Sequence, residues 1–206
     1  MPVIVVANPK GGVGKSTLAT QIAGLLARQG RAVMLGDADR QQSARRWLAL
    51  RPAAAPLIRG WEETSHRDIV RPPKGTTDIV LDTPAGLHGK RLDAVMRVAD
   101  LLLVPLQPSI FDIRATHDFV RSLQAHKRAA GVRIGIVGMR VRDHTIAAAQ
   151  LRSFLDQLGT PVLGSLRDTQ NYVHLAARGL TLWDLAPGRV ERDLAQWHPI
   201  LDWIGR

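Results

Sequence analysis

The chain contains no cysteine. Disulfides, thiolate metal sites, a Cys-ligated iron–sulfur cluster and a cysteine nucleophile are therefore excluded. It has no uninterrupted run of about eighteen apolar residues, the length a membrane-spanning helix needs. The opening segment, Met1 to Gly12, has no basic stretch before its short apolar run and no small-residue cleavage pattern. That argues against a secretory signal peptide and for a cytoplasmic protein. Acidic residues are few: 18 Asp and Glu face 28 Lys and Arg, a formal charge of +10. Such an excess suggests a polyanionic partner, either nucleic acid or an acidic membrane surface. Lysine is also scarce, with only Lys10, Lys15, Lys74, Lys90 and Lys127 among the basic residues. The resulting arginine skew can equally reflect genome base composition. What is present is enough for a core: 45% of the 206 residues are hydrophobic and 22% charged, which excludes disorder as the main state.

Short apolar runs alternate with longer amphipathic stretches. Val3–Ala7 reads as a strand buried on both faces of a parallel sheet. Leu18, Ile22, Leu25 and Leu26 recur at helical spacing, and Gly30 is a stop signal. Further strands are predicted at Ala32–Leu35, Asp78–Asp82, Leu101–Val104, Arg133–Val137 and Val162–Leu166. Helices are predicted at Ser43–Leu50, Arg91–Ala99, Ile113–Ala130, Ile146–Leu158 and Tyr172–Arg178, followed by an amphipathic end at Val190–Ile204. Residues 52–77 are the least regular part, with a turn at Pro72, Pro73 and Gly75. No repeat or domain boundary is visible. The pattern predicts one α/β domain over residues 1–206, a doubly wound, mostly parallel sheet with helices on both faces.

The strongest motif is the segment from Asn8 to Thr17, Asn-Pro-Lys-Gly-Gly-Val-Gly-Lys-Ser-Thr, between the first strand and the first helix. A phosphate-binding loop belongs there. Gly11, Gly12, Val13 and Gly14 let backbone N–H groups turn toward a β-phosphate. Lys15 supplies charge for the β- and γ-phosphates, Ser16 offers a hydroxyl to Mg²⁺, and Thr17 completes the loop at the start of the helix. The expected ligands are a nucleotide polyphosphate and Mg²⁺. Asp82 closes an apolar strand in the manner of a Walker B carboxylate, which orients Mg²⁺.

The loop departs from the common GxxxxGK[ST] pattern, having Pro9 at the first glycine and a second lysine, Lys10, before the double glycine. In this it resembles the deviant Walker A motif of the ParA/MinD/Soj family of P-loop ATPases, most nearly the small ParA type without an N-terminal helix-turn-helix domain. The segment Asp37-Ala38-Asp39-Arg40-Gln41-Gln42 resembles the family's D-x-D-P-Q, with Arg40 where proline is usual. Thr83-Pro84-Ala85-Gly86 resembles its γ-phosphate switch. Val104 to Asp112 resembles its VPxxPSxxD segment, with Pro105 and Pro108 expected to fix a rigid turn and Ser109 or Asp112 to cap the next helix. Arg167, Asn171, Tyr172, Ala176 and Gly179 resemble a C-terminal family segment, so the likeness runs from about Pro2 to Leu185.

The resemblance implies roles. Lys10 would reach the partner's ATP across a dimer. Lys15 would act with it, and Asp39 would position the attacking water. Asp37 would support the Mg²⁺ shell, so that Ser16, Asp39 and Asp82 form the candidate metal set. Helix capping is the structural alternative for the Asp37–Asp39 pair. Gly86 would offer a backbone N–H. Adenine contacts would come from the loops at Met139–Arg142, chiefly Met139 and Arg140, and at Leu166–Asp168.

The implied activity is a slow ATPase that forms an ATP-bound homodimer and associates with the nucleoid through nonspecific DNA binding. A ParB-like or cargo-adaptor protein would stimulate hydrolysis, for plasmid or chromosome partition or for cargo positioning. Arg140, Arg142, Arg152, Arg167, Arg178, Arg189 and Arg192 are candidate phosphate contacts. Two alternatives stand beside it. One is a MinD-like membrane-cycling ATPase anchored by Leu194, Trp197, Ile200, Leu201, Trp203 and Ile204, set against a terminal helix simply packed on the core. The other is a nucleotide-regulated adaptor with little turnover. The lack of cysteine argues against the nitrogenase-iron-protein branch. A start on the first strand argues against operator binding by a preceding helix-turn-helix.

Overall fold

A computed structural model describes residues 1–61 and 74–205. The turn expected at Pro72 and Pro73 lies outside them. Seven strands form one parallel sheet in the order β3-β2-β4-β1-β5-β6-β7. They are β1 (Val3–Val6), β2 (Val33–Asp37), β3 (Ile58–Trp61), β4 (Asp78–Asp82), β5 (Leu101–Leu106), β6 (Arg133–Val141) and β7 (Val162–Arg167). The helices are α1 (Lys15–Arg28), α2 (Ser43–Ala49), α3 (Gly89–Val98), α4 (Ile110–Gln124), α5 (Ile146–Gln157), α6 (Gln170–Ala176), α7 (Glu191–Ala195) and α8 (His198–Ile204).

Successive strand residues point to opposite faces, so every central strand must be apolar throughout. In β1, Ile4 and Val6 enter a core with α1, α2, α6 and the C-terminal segment, while Val5 enters a second core under α3, α4 and α5. β5 divides in the same way, Leu101 and Leu103 against Leu102, Val104 and Leu106. The doubly wound, parallel α/β expectation is met.

The differences have local causes. β3 falls inside the span that read as irregular. It is an edge strand whose middle residues, Arg59 and Gly60, are exposed, so it carries no apolar run. α4 begins at Ile110 rather than Ile113 and ends at Gln124; Ala129–Gly131 is a separate 3-10 turn. Ser109 takes the N-cap position without a side-chain cap bond. Pro105 lies within β5 rather than in a turn. The ladder with β1 ends at Leu103, so the missing N–H of Pro105 leaves no gap there.

α1 is buried along most of its length because the C-terminal segment covers its outer side. Gln21 Oε1 accepts the Leu182 N–H at 3.0 Å, and Gln21 O accepts the Trp183 indole N–H at 3.0 Å. A Cβ at Gly24 would sit 2.4 Å from Thr181 Cγ2, so only glycine permits this approach. Arg51, at the end of α2, locks the segment in place. Its guanidinium pairs bidentately with Asp184 at 3.0 Å for both bonds and donates to Gly179 O at 3.1 Å, with both charged side chains about 5% exposed. Asp184 also accepts the Thr181 N–H and hydroxyl, each at 2.8 Å.

Removing one partner of a buried ion pair strands the other charge. Asp184→Ala is expected to lower unfolding free energy by about 3–5 kcal/mol in a urea titration. A loss below 1 kcal/mol would mean that this pair does not hold the C-terminal segment.

Candidate functional site

The loop Ala7–Gly14 follows β1 at the carboxyl edge of the sheet, between β4 and β5. Ligands of open parallel sheets lie at that edge. Gly14 is the N-cap of α1 with φ +98, and Gly12 has φ +75; both conformations favour glycine. With glycine at the cap, no side chain satisfies the first N–H groups of α1, which leaves them for an anion. A Cβ at Gly11 or Gly12 would meet nothing within 4 Å, so the space before them is open. Val13 is fully buried, and Ser16 and Thr17 are half-buried at the helix start.

Asn8, quoted in the motif without a role, anchors the loop. It is fully buried; its Nδ2 donates to Pro105 O at 2.8 Å and to Thr116 Oγ1 at 2.9 Å, and its Oδ1 accepts the Lys10 N–H at 2.8 Å. One amide thus joins β5, α4 and the loop. Gln107 adds a second tie, donating to Gly12 O at 2.8 Å. The available signal was a carboxamide set directly after an apolar strand, since an amide can donate and accept at once.

Lys15 is 8% exposed and donates from Nζ to Lys10 O at 2.7 Å. Burial lowers its pKa, opposed by the charges of Asp82 and Asp39. The Lys10 side chain is half-buried, with no hydrogen bond or ion pair among the described residues. Asp82 is 1% exposed at the end of β4, and neither carboxylate oxygen has a hydrogen-bond partner. Burial raises its pKa to about 7, against the pull of the nearby Ser16 hydroxyl and of Lys15. A buried carboxylate without a donor is rare and calls for a cation. The described residues hold no cluster of three or more His, Asp or Glu able to bind a metal alone. A Mg²⁺ ion with phosphate oxygens fits this donor set, since Mg²⁺ binds through one or two protein groups plus phosphates. Ser16 and Asp82 would hold it.

Several expected roles change. Asp37 is occupied as a cap: Oδ2 accepts the Ala44 and Arg45 N–H groups at 2.8 and 3.1 Å, and Oδ1 accepts the Asp39 N–H at 3.0 Å. Its three bonds set α2 and the Asp39 loop, the structural alternative for this residue. Asp39 Oδ1 accepts the Gln41 N–H at 3.0 Å, and its charge bears on both Lys15 and Asp82. The Gly86 N–H is not free, because it donates to Pro9 O at 2.8 Å and ties the switch segment to the phosphate loop. Met139 is 3% exposed and packs under Gly14, where a Cβ would lie 2.8 Å from its Cε; it is a packing side chain rather than an open adenine contact. Arg140 is exposed beside it, at φ +52, in an irregular stretch of β6. The two loops expected near adenine do meet, with Arg142 paired to Asp168 at 2.6 Å.

The C-terminal family-like segment is structural. Arg167 and Asn171 both bond the fully buried Asp193, and Trp197 donates to the Tyr172 hydroxyl at 3.0 Å. Trp197 and Ile200 are fully buried, so the tail packs on the core. No helix among the described residues is long and apolar enough to cross a membrane.

The Asp82 pKa stands at about 7 against an ordinary 3.8, so its contribution to stability is full below pH 3.8 and lost as pH rises through about 7. The ligand-free protein should lose up to ~4 kcal/mol from this group over that window. Asp82→Asn should flatten the slope in denaturant titrations across pH; an unchanged slope would place the titration elsewhere. Asn8→Ala strands buried partners on β5 and α4, and should destabilise by about 1–3 kcal/mol while weakening nucleotide affinity in calorimetry.

Comparison with known proteins gives the family and the fold. Residues 4–182 match the CobQ/CobB/MinD/ParA nucleotide binding domain. A "maintenance of carboxysome distribution protein A" from Halothiobacillus neapolitanus is 28% identical over 197 residues, 92% of this chain and 91% of the relative. Its namesake from Gloeobacter kilaueensis is 42% identical over 113 residues, 54% of this chain and only 51% of the relative. A putative plasmid partition protein from Borrelia burgdorferi, solved with AMPPNP, shares the fold with a TM-score of 0.73 at 17% identity, covering 98% of each chain. The chain belongs to the CobQ/CobB/MinD/ParA family of nucleotide-binding domains.

Proposed function

We propose that this protein is a Mg²⁺-dependent ATPase of the ParA type, which dimerises with ATP, binds DNA without sequence preference and is released by partner-stimulated hydrolysis. The observation that carries the reading is the donor-less Asp82 carboxylate beside Lys15 and the uncapped start of α1. Those three features call for a cation, a polyphosphate and a helix-end anion in one place. Lys15 would neutralise phosphate charge, and bound Mg²⁺ would add to that. Asp39 would orient the attacking water. The unpaired Lys10 side chain would reach the nucleotide of a second copy. Two of the curated relatives are named for carboxysome distribution, which favours positioning of a protein body; two others are named as a chromosome-partitioning ATPase Soj and a protein ParA, and partition would use the same cycle.

DNA contact would rest on charge. Arg167 is committed to Asp193 and Arg142 is paired with Asp168. Arg140, Arg152, Arg178, Arg189 and Arg192 remain exposed for phosphates. In the cell this gives nucleoid association in the ATP state. The membrane-cycling alternative has less support, because Trp197 and Ile200 are buried and Trp203 stacks on Arg133, whose guanidinium lies 4.5 Å from its ring.

The test is binding to nonspecific duplex DNA with ATP, a slowly hydrolysed analogue, ADP or no nucleotide, across a salt series. ATP-dependent binding is expected, with log affinity falling against log salt by roughly 0.9 per phosphate contact. Asp39→Ala should cut hydrolysis by about tenfold or more while keeping DNA binding in ATP. Binding indifferent to nucleotide, or an Asp39→Ala protein that hydrolyses ATP at the normal rate, would sink this reading.

A further inference from the structure

The segment that follows β5 grips the phosphate loop at two points. Pro105 O accepts a hydrogen bond from Asn8 Nδ2 at the start of the loop, and Gln107 Nε2 donates to Gly12 O in its middle, both at 2.8 Å. The platform beneath Gln107 is rigid. β5 is paired with β1 as far as Leu103 and with β6 as far as Leu106. Gln107 O accepts the Ser109 N–H at 2.8 Å, and Pro108 restricts the residue before it to extended backbone. The grip falls where the loop is least able to hold itself. Gly11 and Gly12 are consecutive, Gly12 has φ +75, and a Cβ on either would meet nothing within 4 Å. Glycine tolerates either orientation of the peptide plane that follows it, so an unpinned Gly12–Val13 peptide is free to flip.

We propose that Gln107 is a positioning residue for the phosphate loop: by holding the Gly12 carbonyl toward the segment between β5 and α4, it aims the Val13 N–H at a phosphate oxygen. The proposal rests on the phosphate-binding reading of the loop and adds to it a residue outside the glycine motif. The physical reason is the planarity of the peptide. In a trans peptide the C=O and the next N–H point to opposite sides, and no peptide bond among the described residues is cis. A donor that draws Gly12 O one way therefore turns the Val13 N–H the other way. No described residue accepts that N–H, and the Gly14 N–H is also without an acceptor. Val13 is fully buried, so bulk water does not replace the missing partner. A buried N–H left unpaired is rare, and this one lies next to the uncapped start of α1. A flipped peptide would present the Gly12 oxygen to the anion and turn attraction into repulsion. Fixing the plane before nucleotide arrives removes that ordering cost from binding.

The experiment uses the full chain, ¹⁵N-labelled and titrated with Mg²⁺ and ADP. In the native sequence the amide protons of residues 13–17 should move on binding, that of Val13 downfield as its N–H meets a phosphate oxygen. Gln107→Met keeps the length of the side chain but donates nothing. It should raise the dissociation constant roughly three- to tenfold, the scale of one net hydrogen bond. The Val13 displacement should shrink, while Lys15, Ser16 and Thr17, set by α1, keep theirs. Gln107→Asn retains the amide on a stem one methylene shorter and should repeat the pattern. A general loss of stability would not single out one amide. Unchanged affinity in both variants, an unchanged Val13 displacement, or equal attenuation across residues 13–17 would each overturn the proposal. Failure of the underlying reading is seen first and separately: the native chain would then show no displacement at 11–17 with Mg²⁺ and ADP.

Discussion

The Asp82 carboxylate sits at the end of a buried central strand, and among the described residues only the Ser16 hydroxyl and Lys15 bear on it favourably. Its neighbour Lys15 is also buried and spends its ammonium on a backbone carbonyl, Lys10 O. Two opposite charges are thus held close to one another without being joined. A buried carboxylate near a helix start without a side-chain cap has the electrostatics that suit a metal-bound phosphate. Much of the remaining architecture keeps that arrangement from collapsing. Asn8 ties the loop to β5 and α4, Gln107 holds Gly12, and Met139 fills the space under Gly14.

The second face of the sheet does a different job. α1 carries the candidate phosphate site at its start, so any tilt of the helix would move that site. Gln21, Gly24 and Thr181 bring the C-terminal segment tight against it, and Arg51 with Asp184 clamps that segment to α2. The tail residues that looked like a membrane face, Trp197 and Ile200, complete this packing. The family-like segment from Arg167 to Gly179 is tied into the same packing, through Asp193 and Trp197.

The acidic pair after β2 shows how one motif divides its work. Asp37 accepts three backbone N–H groups and shapes the loop; Asp39 is the member whose charge is felt at Lys15 and Asp82. The Pro9 carbonyl joins the same logic from the other side, holding the Gly86 N–H and so linking phosphate loop and switch. Nucleotide and partner would both act on contacts that already exist between these segments. The net charge of +10 gives the surface a positive field, and several arginines are exposed on it.

Local pattern in the sequence was enough to establish the doubly wound sheet and to single out the glycine loop, Lys15, Ser16 and Asp82 as candidate site residues. Those features are contiguous: a fully apolar strand, a glycine run ending in Lys-Ser, a strand closing on Asp. Strand β3 was illegible because only its end residues are buried, and burial at an edge is decided by neighbours. The roles of Asn8, Gln107, Asp37 and Met139 were equally hidden. Each depends on partners in another element: Asn8 and Gln107 join segments about a hundred residues apart in the chain, Met139 meets a glycine of the phosphate loop, and Asp37 takes the N–H groups of α2. Residue type and spacing determined which groups are available for chemistry. The tertiary structure decided which of them are already used by the protein, because a hydrogen bond made to the fold is no longer open to a ligand.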